Sequence, residues 1–151
     1  PLTSLPTNFK LNHGINNTLA ILEAEEHGAE DALMLNHSGE LCETASANLF
    51  WFKDDTLFTP SLDTGCLRGS IRDAIIRLSP APLKTIQVGI SELKEAEAMW
   101  MTNGRIGILP IYTIEPMGYR YDMHIMTKTL QQALKDDMQR YAKSHHEEWA
   151  W

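Results

Sequence analysis

The stretch Glu43-Thr44-Ala45-Ser46-Ala47-Asn48-Leu49-Phe50-Trp51-Phe52-Lys53 ends one strand-like run, crosses a turn of small residues and enters an aromatic run that reads as a second strand. Residues 31–36 and 40–43 form strand candidates around a His37-Ser38-Gly39 turn, and residues 48–53 and 56–59 form a hairpin about Asp54-Asp55. Before them, Ile15, Leu19 and Leu22 recur at helical spacing within residues 14–27, with Ala20, Ile21 and Ala24 beside them and Gly28 as the stop. After a loop at 60–67, Ile71, Ile75 and Leu78 mark a helix over 69–78, ended by Ser79-Pro80-Ala81-Pro82. Residues 84–88 suit a strand, and Ser91 suits the N-cap of a helix over 92–98. Strands at 99–102 and 106–114 flank Asn103-Gly104, and a last helix over 123–143 carries Ile125, Leu130, Leu134, Met138 and Tyr141 on one side. Strands and helices alternate without a beta-alpha-beta rhythm, so the expected class is α+β.

A chain of 151 residues suits one domain with a real core. Its 43% hydrophobic and 22% charged content is ordinary for a globular protein. The formal charge of −7 argues against nucleic acid or an anionic membrane as the main partner, while leaving room for a local phosphate pocket. No apolar run approaches the ~20 residues of a membrane span. With no charged-then-apolar leader at its start, the chain is expected in the cytoplasm. Cys42 and Cys66 lack metal spacing and read as small buried hydrophobes, and no metal site is expected. Residues 1–9 read as a linker, residues 10–143 as the functional domain and residues 144–151 as a tail.

Four elements carry chemistry. Lys10, between Phe9 and Leu11, sits where apolar neighbours favour a neutral amine, the state an imine-forming or proton-abstracting lysine needs; it also reads as a surface lysine before a helix. Glu43 can hold a pyridine nitrogen protonated, or can be a solvated strand-end acid. Asn48 can orient Glu43 or the cofactor, or close a turn. The helix entry Arg68-Gly69-Ser70-Ile71 offers free backbone N–H groups to an anion, and Thr102-Asn103-Gly104 is a second possible anion nest or simply a tight turn.

In that order these residues resemble the fold type IV pyridoxal-phosphate enzymes, the class IV aminotransferases and their lyase relatives. The resemblance is carried by Lys10-Leu11-Asn12, Leu19-Ala20, Glu23-Ala24, Gly28-Ala29-Glu30-Asp31-Ala32-Leu33, Glu43 through Phe50, Thr59-Pro60, Gly69-Ser70-Ile71-Arg72 and Glu95-Ala96-Glu97-Ala98-Met99. It implies the family's large C-terminal domain, with mixed sheets, a barrel-like core and flanking helices. It also implies pyridoxal 5'-phosphate as cofactor, with Lys10 as the lysine that joins it and shuttles the substrate's alpha proton. Glu43 then matches the acid at the pyridine nitrogen, Ser70 and Ile71 the phosphate contacts at the helix start, and Asn103 with Gly104 the second phosphate turn; Asn48 joins the cofactor-binding set.

Within the family, Ala47-Asn48-Leu49-Phe50-Trp51 and the run from Thr102 to Ile111 resemble the 4-amino-4-deoxychorismate lyase branch, which eliminates pyruvate to leave 4-aminobenzoate. A class IV aminotransferase of branched-chain or D-amino acid type is the alternative, and a catalytically inert interaction module is the second. The family's smaller N-terminal domain has no counterpart here, so the chain reads as a C-terminal portion. The resemblance implies a small-molecule substrate and a homodimer.

Overall fold

The computed structural model describes residues 14–144. Its frame is a five-stranded sheet in the order β5-β4-β3-β6-β7. These strands are β3 (Asn48–Lys53), β4 (Thr56–Pro60), β5 (Leu83–Ile86), β6 (Ala98–Asn103) and β7 (Gly107–Ile111). All neighbours are antiparallel except β4 and β5, which run parallel because helix α2 (Ser70–Leu78) carries the chain across. The β3–β4 turn is closed by Asp54 and Asp55, both at positive φ, which matches the right-handed twist of the paired strands. Two small ribbons complete the strands: β1 (Leu33–Leu35) with β2 (Leu41–Thr44), and β8 (Thr113–Ile114) with β9 (Tyr119–Arg120). This is the α+β arrangement expected.

Alternation along β3 divides the interior in two. Phe50 and Phe52 join Ala98, Trp100, Ile75, Leu130 and Leu134 beneath α2 and the last helix, α3 (Ile125–Ser144). Leu49 and Trp51 join Leu41, Leu93, Met99 and Tyr121 on the opposite face. Trp100 Nε1 donates to Thr127 Oγ1 of α3 at 2.8 Å, and Arg77 of α2 forks onto Asp137 of α3.

Three expectations need correction. Residues 92–98 do not form a helix capped by Ser91: a 3-10 turn spans Ile90–Glu95 after Gly89, and Ala98 already belongs to β6, where it pairs with Phe52. On α3 only Leu130 and Leu134 of the proposed apolar side are buried, whereas Ile125, Met138 and Tyr141 are exposed. On α1 (Ile15–Glu26), Ala24 is buried while Ile15, Leu19 and Leu22 are 66%, 58% and 51% exposed, so the side carrying Asn17, Ala20, Ile21 and Ala24 faces inward. Cys42 and Cys66 are buried free thiols, as expected. Among the described residues no helix is long and apolar enough to cross a membrane.

Candidate active site

The site lies at the end of the sheet where β3 begins and β6 finishes. Glu43, one residue short of the end of β2, turns its carboxylate towards the loop before α2. Its Oε2 accepts from the Leu67 N–H and from Asn48 Nδ2, both at 3.1 Å. Asn48 Nδ2 also donates to Leu67 O at 2.7 Å. Two oxygen acceptors around one nitrogen fix the orientation of the Asn48 amide. Burial pushes the Glu43 carboxyl above its ordinary range, and the Leu67 N–H opposes that shift in part.

Asn48 also sets the approach of α2. Its Oδ1 occupies the place a Cβ on residue 69 would take, so only glycine allows this close contact. Gly69 is the N-cap of α2 and supplies no side-chain cap. The N–H groups of Ser70, Ile71 and Arg72 belong to the first turn and have no acceptor within the helix; the Asp73 N–H, bonded to Gly69 O at 3.0 Å, is the first that does. Such a helix start is a ready anion site.

Asn103 plays a different part from a direct side-chain ligand. Its Oδ1 accepts from the Arg105 and Ile106 N–H groups, both at 2.9 Å, and its Nδ2 donates to Ser46 O at 3.0 Å. The side chain thereby shapes the β6–β7 turn and ties it to the β2–β3 turn, leaving backbone groups as what the turn can offer an anion. Gly104 is exposed with open space about it, and the left-handed position of this turn falls at Gly107.

The structure thus brings Glu43 and Asn48 together beside the start of α2, where Ser70 and Ile71 lie, while Lys10 lies outside the described residues. Sequence reading missed two contributors, Leu67 and Asp31. Leu67 acts through its backbone, which no side-chain pattern reveals. Asp31 holds the β2–β3 turn by accepting from Thr44 Oγ1 at 2.9 Å and Ser46 Oγ at 2.6 Å. Thr102, directly across from Asn48 in the β3–β6 pair, has a buried Oγ1 with no partner.

A half-buried carboxyl clamped beside an uncapped helix start, at one end of a mixed sheet, is what this α+β fold places at the site. The family model for amino-transferase class IV matches residues 3–114, and the chain belongs to that family, whose members are pyridoxal-phosphate-dependent enzymes. Aminodeoxychorismate lyase of Bacillus subtilis is 32% identical over 133 residues, covering 86% of this chain and 45% of its own. The Vibrio harveyi protein of the same name is 32% identical over 127 residues, covering 81% and 47%. The branched-chain amino acid aminotransferase of Thermobaculum terrenum, solved in its PLP form, superposes with a TM-score of 0.82 at 25% identity over 88% of this chain and 45% of that one. The chain spans about half the length of the relatives it matches.

Proposed function

We propose that this chain is the cofactor-holding part of a pyridoxal-phosphate enzyme acting on an amino-bearing carboxylic acid, in the first instance 4-amino-4-deoxychorismate. The observation that carries the reading is the Glu43 carboxylate, half-buried and clamped by Asn48 and Leu67 beside the free N–H groups of α2. The residues fit the cofactor: an acid for its ring nitrogen, a helix start for its phosphate and an orphaned hydroxyl at Thr102, across the strand pair from Asn48. When bound, pyridoxal phosphate supplies an electron sink for the pair left on the substrate's alpha carbon.

The chain's own residues divide the remaining work. Glu43 presents its carboxylate to the pyridine nitrogen, with Asn48 and Leu67 fixing its direction. Ser70 and Ile71 give backbone N–H groups to the phosphate, and the Asn103-Gly104 turn closes the second side. Lys10 Nζ would join the cofactor and serve as general base toward the substrate's alpha proton. In the lyase reading, loss of that proton leads to elimination of pyruvate and leaves 4-aminobenzoate.

The lyase reading is supported by two lyase relatives that each match more than four-fifths of the chain. The aminotransferase alternative is supported by a Thermotoga maritima protein named as a probable branched-chain aminotransferase, 36% identical over 84 residues and 54% of this chain. Product analysis separates them: pyruvate plus 4-aminobenzoate without an amino acceptor, against acceptor-dependent keto-acid release. A cytoplasmic homodimer is part of the proposal, and sedimentation checks the dimer. Mixing the chain with pyridoxal phosphate should produce a near-visible absorption band that Lys10→Ala abolishes. A chain that stays colourless overturns the enzyme reading and favours an inert module.

A further inference from the structure

Thr102 is 1% exposed, and its Oγ1 has no hydrogen-bond partner. The other buried threonines are all satisfied. Thr44 Oγ1 donates to Asp31 Oδ2 at 2.9 Å, while Thr59 Oγ1 reaches Leu49 O and Thr64 Oγ1 reaches Ser61 O, each at 2.8 Å. Thr127 Oγ1 accepts from Trp100 Nε1. A buried hydroxyl left unmet is unfavourable and calls for an explanation.

Strand register gives its direction. Thr102 pairs with Asn48 in step with Trp100 and Phe50, then Ala98 and Phe52, and those four side chains line the core beneath α2 and α3. The hydroxyl therefore lies on the α2 side of the sheet, next to the Asn48 amide that abuts Gly69. Of the nearby cations, Arg68 Nε donates to Asp73 Oδ2 at 2.8 Å, and the buried Arg72 donates through Nη2 to Pro60 O at 3.0 Å while its Nε has no partner.

We propose that Thr102 Oγ1 donates to the same anion that the first turn of α2 binds, an oxygen of the cofactor's phosphate, so that one side-chain hydroxyl and the Ser70 and Ile71 N–H groups form a single phosphate site. The choice of a phosphate ester rests on the cofactor reading above, whereas the anion site rests on the orphaned hydroxyl and the uncapped helix. Thr102→Val keeps the shape and removes the donor, and Thr102→Ser restores it.

The test is equilibrium binding of inorganic phosphate, pyridoxal phosphate and unphosphorylated pyridoxal to the wild type and both variants, with far-UV circular dichroism to follow the fold. The valine variant should bind phosphate and pyridoxal phosphate about tenfold more weakly, as befits loss of a hydrogen bond to a charged group, with pyridoxal unaffected. The serine variant should recover most of that loss. Without ligand, the valine variant should melt no lower than the wild type, because an unmet hydroxyl has been removed. Phosphate binding that depends on Thr102, without any pyridoxal phosphate binding, supports the anion site and refutes the cofactor reading. Equal phosphate affinity in the wild type and the valine variant, or no phosphate binding by the wild type, overturns the proposal.

Discussion

Asn48 Nδ2 donates to Leu67 O and Glu43 Oε2 while Oδ1 takes up the space beside Gly69, so one amide joins β3, the loop before α2 and the site's acid. Gly69→Ala should therefore destabilise the fold by about 1–3 kcal/mol, the range for overpacking a filled site. In an Asn48→Ala background the same change should cost far less, because the blocking atom is gone. Urea unfolding of the four proteins checks this, and equal costs in both backgrounds would show that Asn48 is not what excludes a side chain at 69. Glu43 gives a pH signature. Its folded pKa is raised above the ordinary 4.5, so the folded state holds that proton more tightly than the unfolded chain does. The stabilisation is full below the unfolded value and is lost as pH rises through the folded one. Subtracting the stability of Glu43→Gln from that of the wild type across this window should give a difference that falls with rising pH; a flat or rising difference would contradict the shift. The pairing of Glu43 with Asn48 was legible from residue type and motif order, and Thr102 was legible as part of a possible anion nest, while Lys10 lies outside the described residues. Leu67 was not legible, because it acts through its backbone.

At the scale of elements, apolar spacing found the three described α-helices but not always the face that is buried. Spacing of three and four residues makes one stripe, yet α3 uses only the part of its stripe that lies over Trp100 and Phe50; Ile125, Met138 and Tyr141 project beyond it. On α1 the inward side carries Asn17, Ala20, Ile21 and Ala24, and it is set by the β2–β3 turn, where Asn17 Nδ2 donates to Ala45 O at 2.8 Å. The stretch after Gly89 was misread because acidic residues behind a serine suggest a helix start, whereas Leu93 is fully buried and Ala98 is taken by the sheet, leaving room only for a 3-10 turn. The packing argument makes a paired prediction. Leu130→Ala should destabilise by about 2–5 kcal/mol through the cavity it leaves, and Met138→Ala by about 0.5 kcal/mol or less. Chemical denaturation of both variants measures the contrast, and similar losses would mean that α3 is docked by a wider face than the one buried here.

The molecule as a whole puts two cores on one sheet, and the site draws on both: Glu43 rides on β2, whose Leu41 packs with Trp51 and Leu93, while α2 packs through Ile75 with Trp100 and Leu130. This division was legible in the alternation Leu49-Phe50-Trp51-Phe52, which sends apolar side chains both ways and so requires cover on both faces. What covers each face was not legible, since it depends on the parallel return of β5 and on long-range packing. A shared sheet should make the two cores melt together. Trp51, stacked on Phe58 at 5.6 Å, reports one face, and Trp100, bonded to Thr127, reports the other. With Trp149 and Trp151 replaced by Phe in every protein, replacing either Trp51 or Trp100 by Phe leaves the other as reporter, and each protein's fluorescence midpoint should coincide with the loss of its own far-UV circular dichroism. Pyridoxal phosphate at about 100 times its dissociation constant should add about 2.7 kcal/mol to the folded state in each variant and raise fluorescence and dichroism midpoints alike. Fluorescence that departs from dichroism in only one variant, or a ligand shift seen with only one reporter, would mean that the faces unfold separately and that the site is carried by one of them alone.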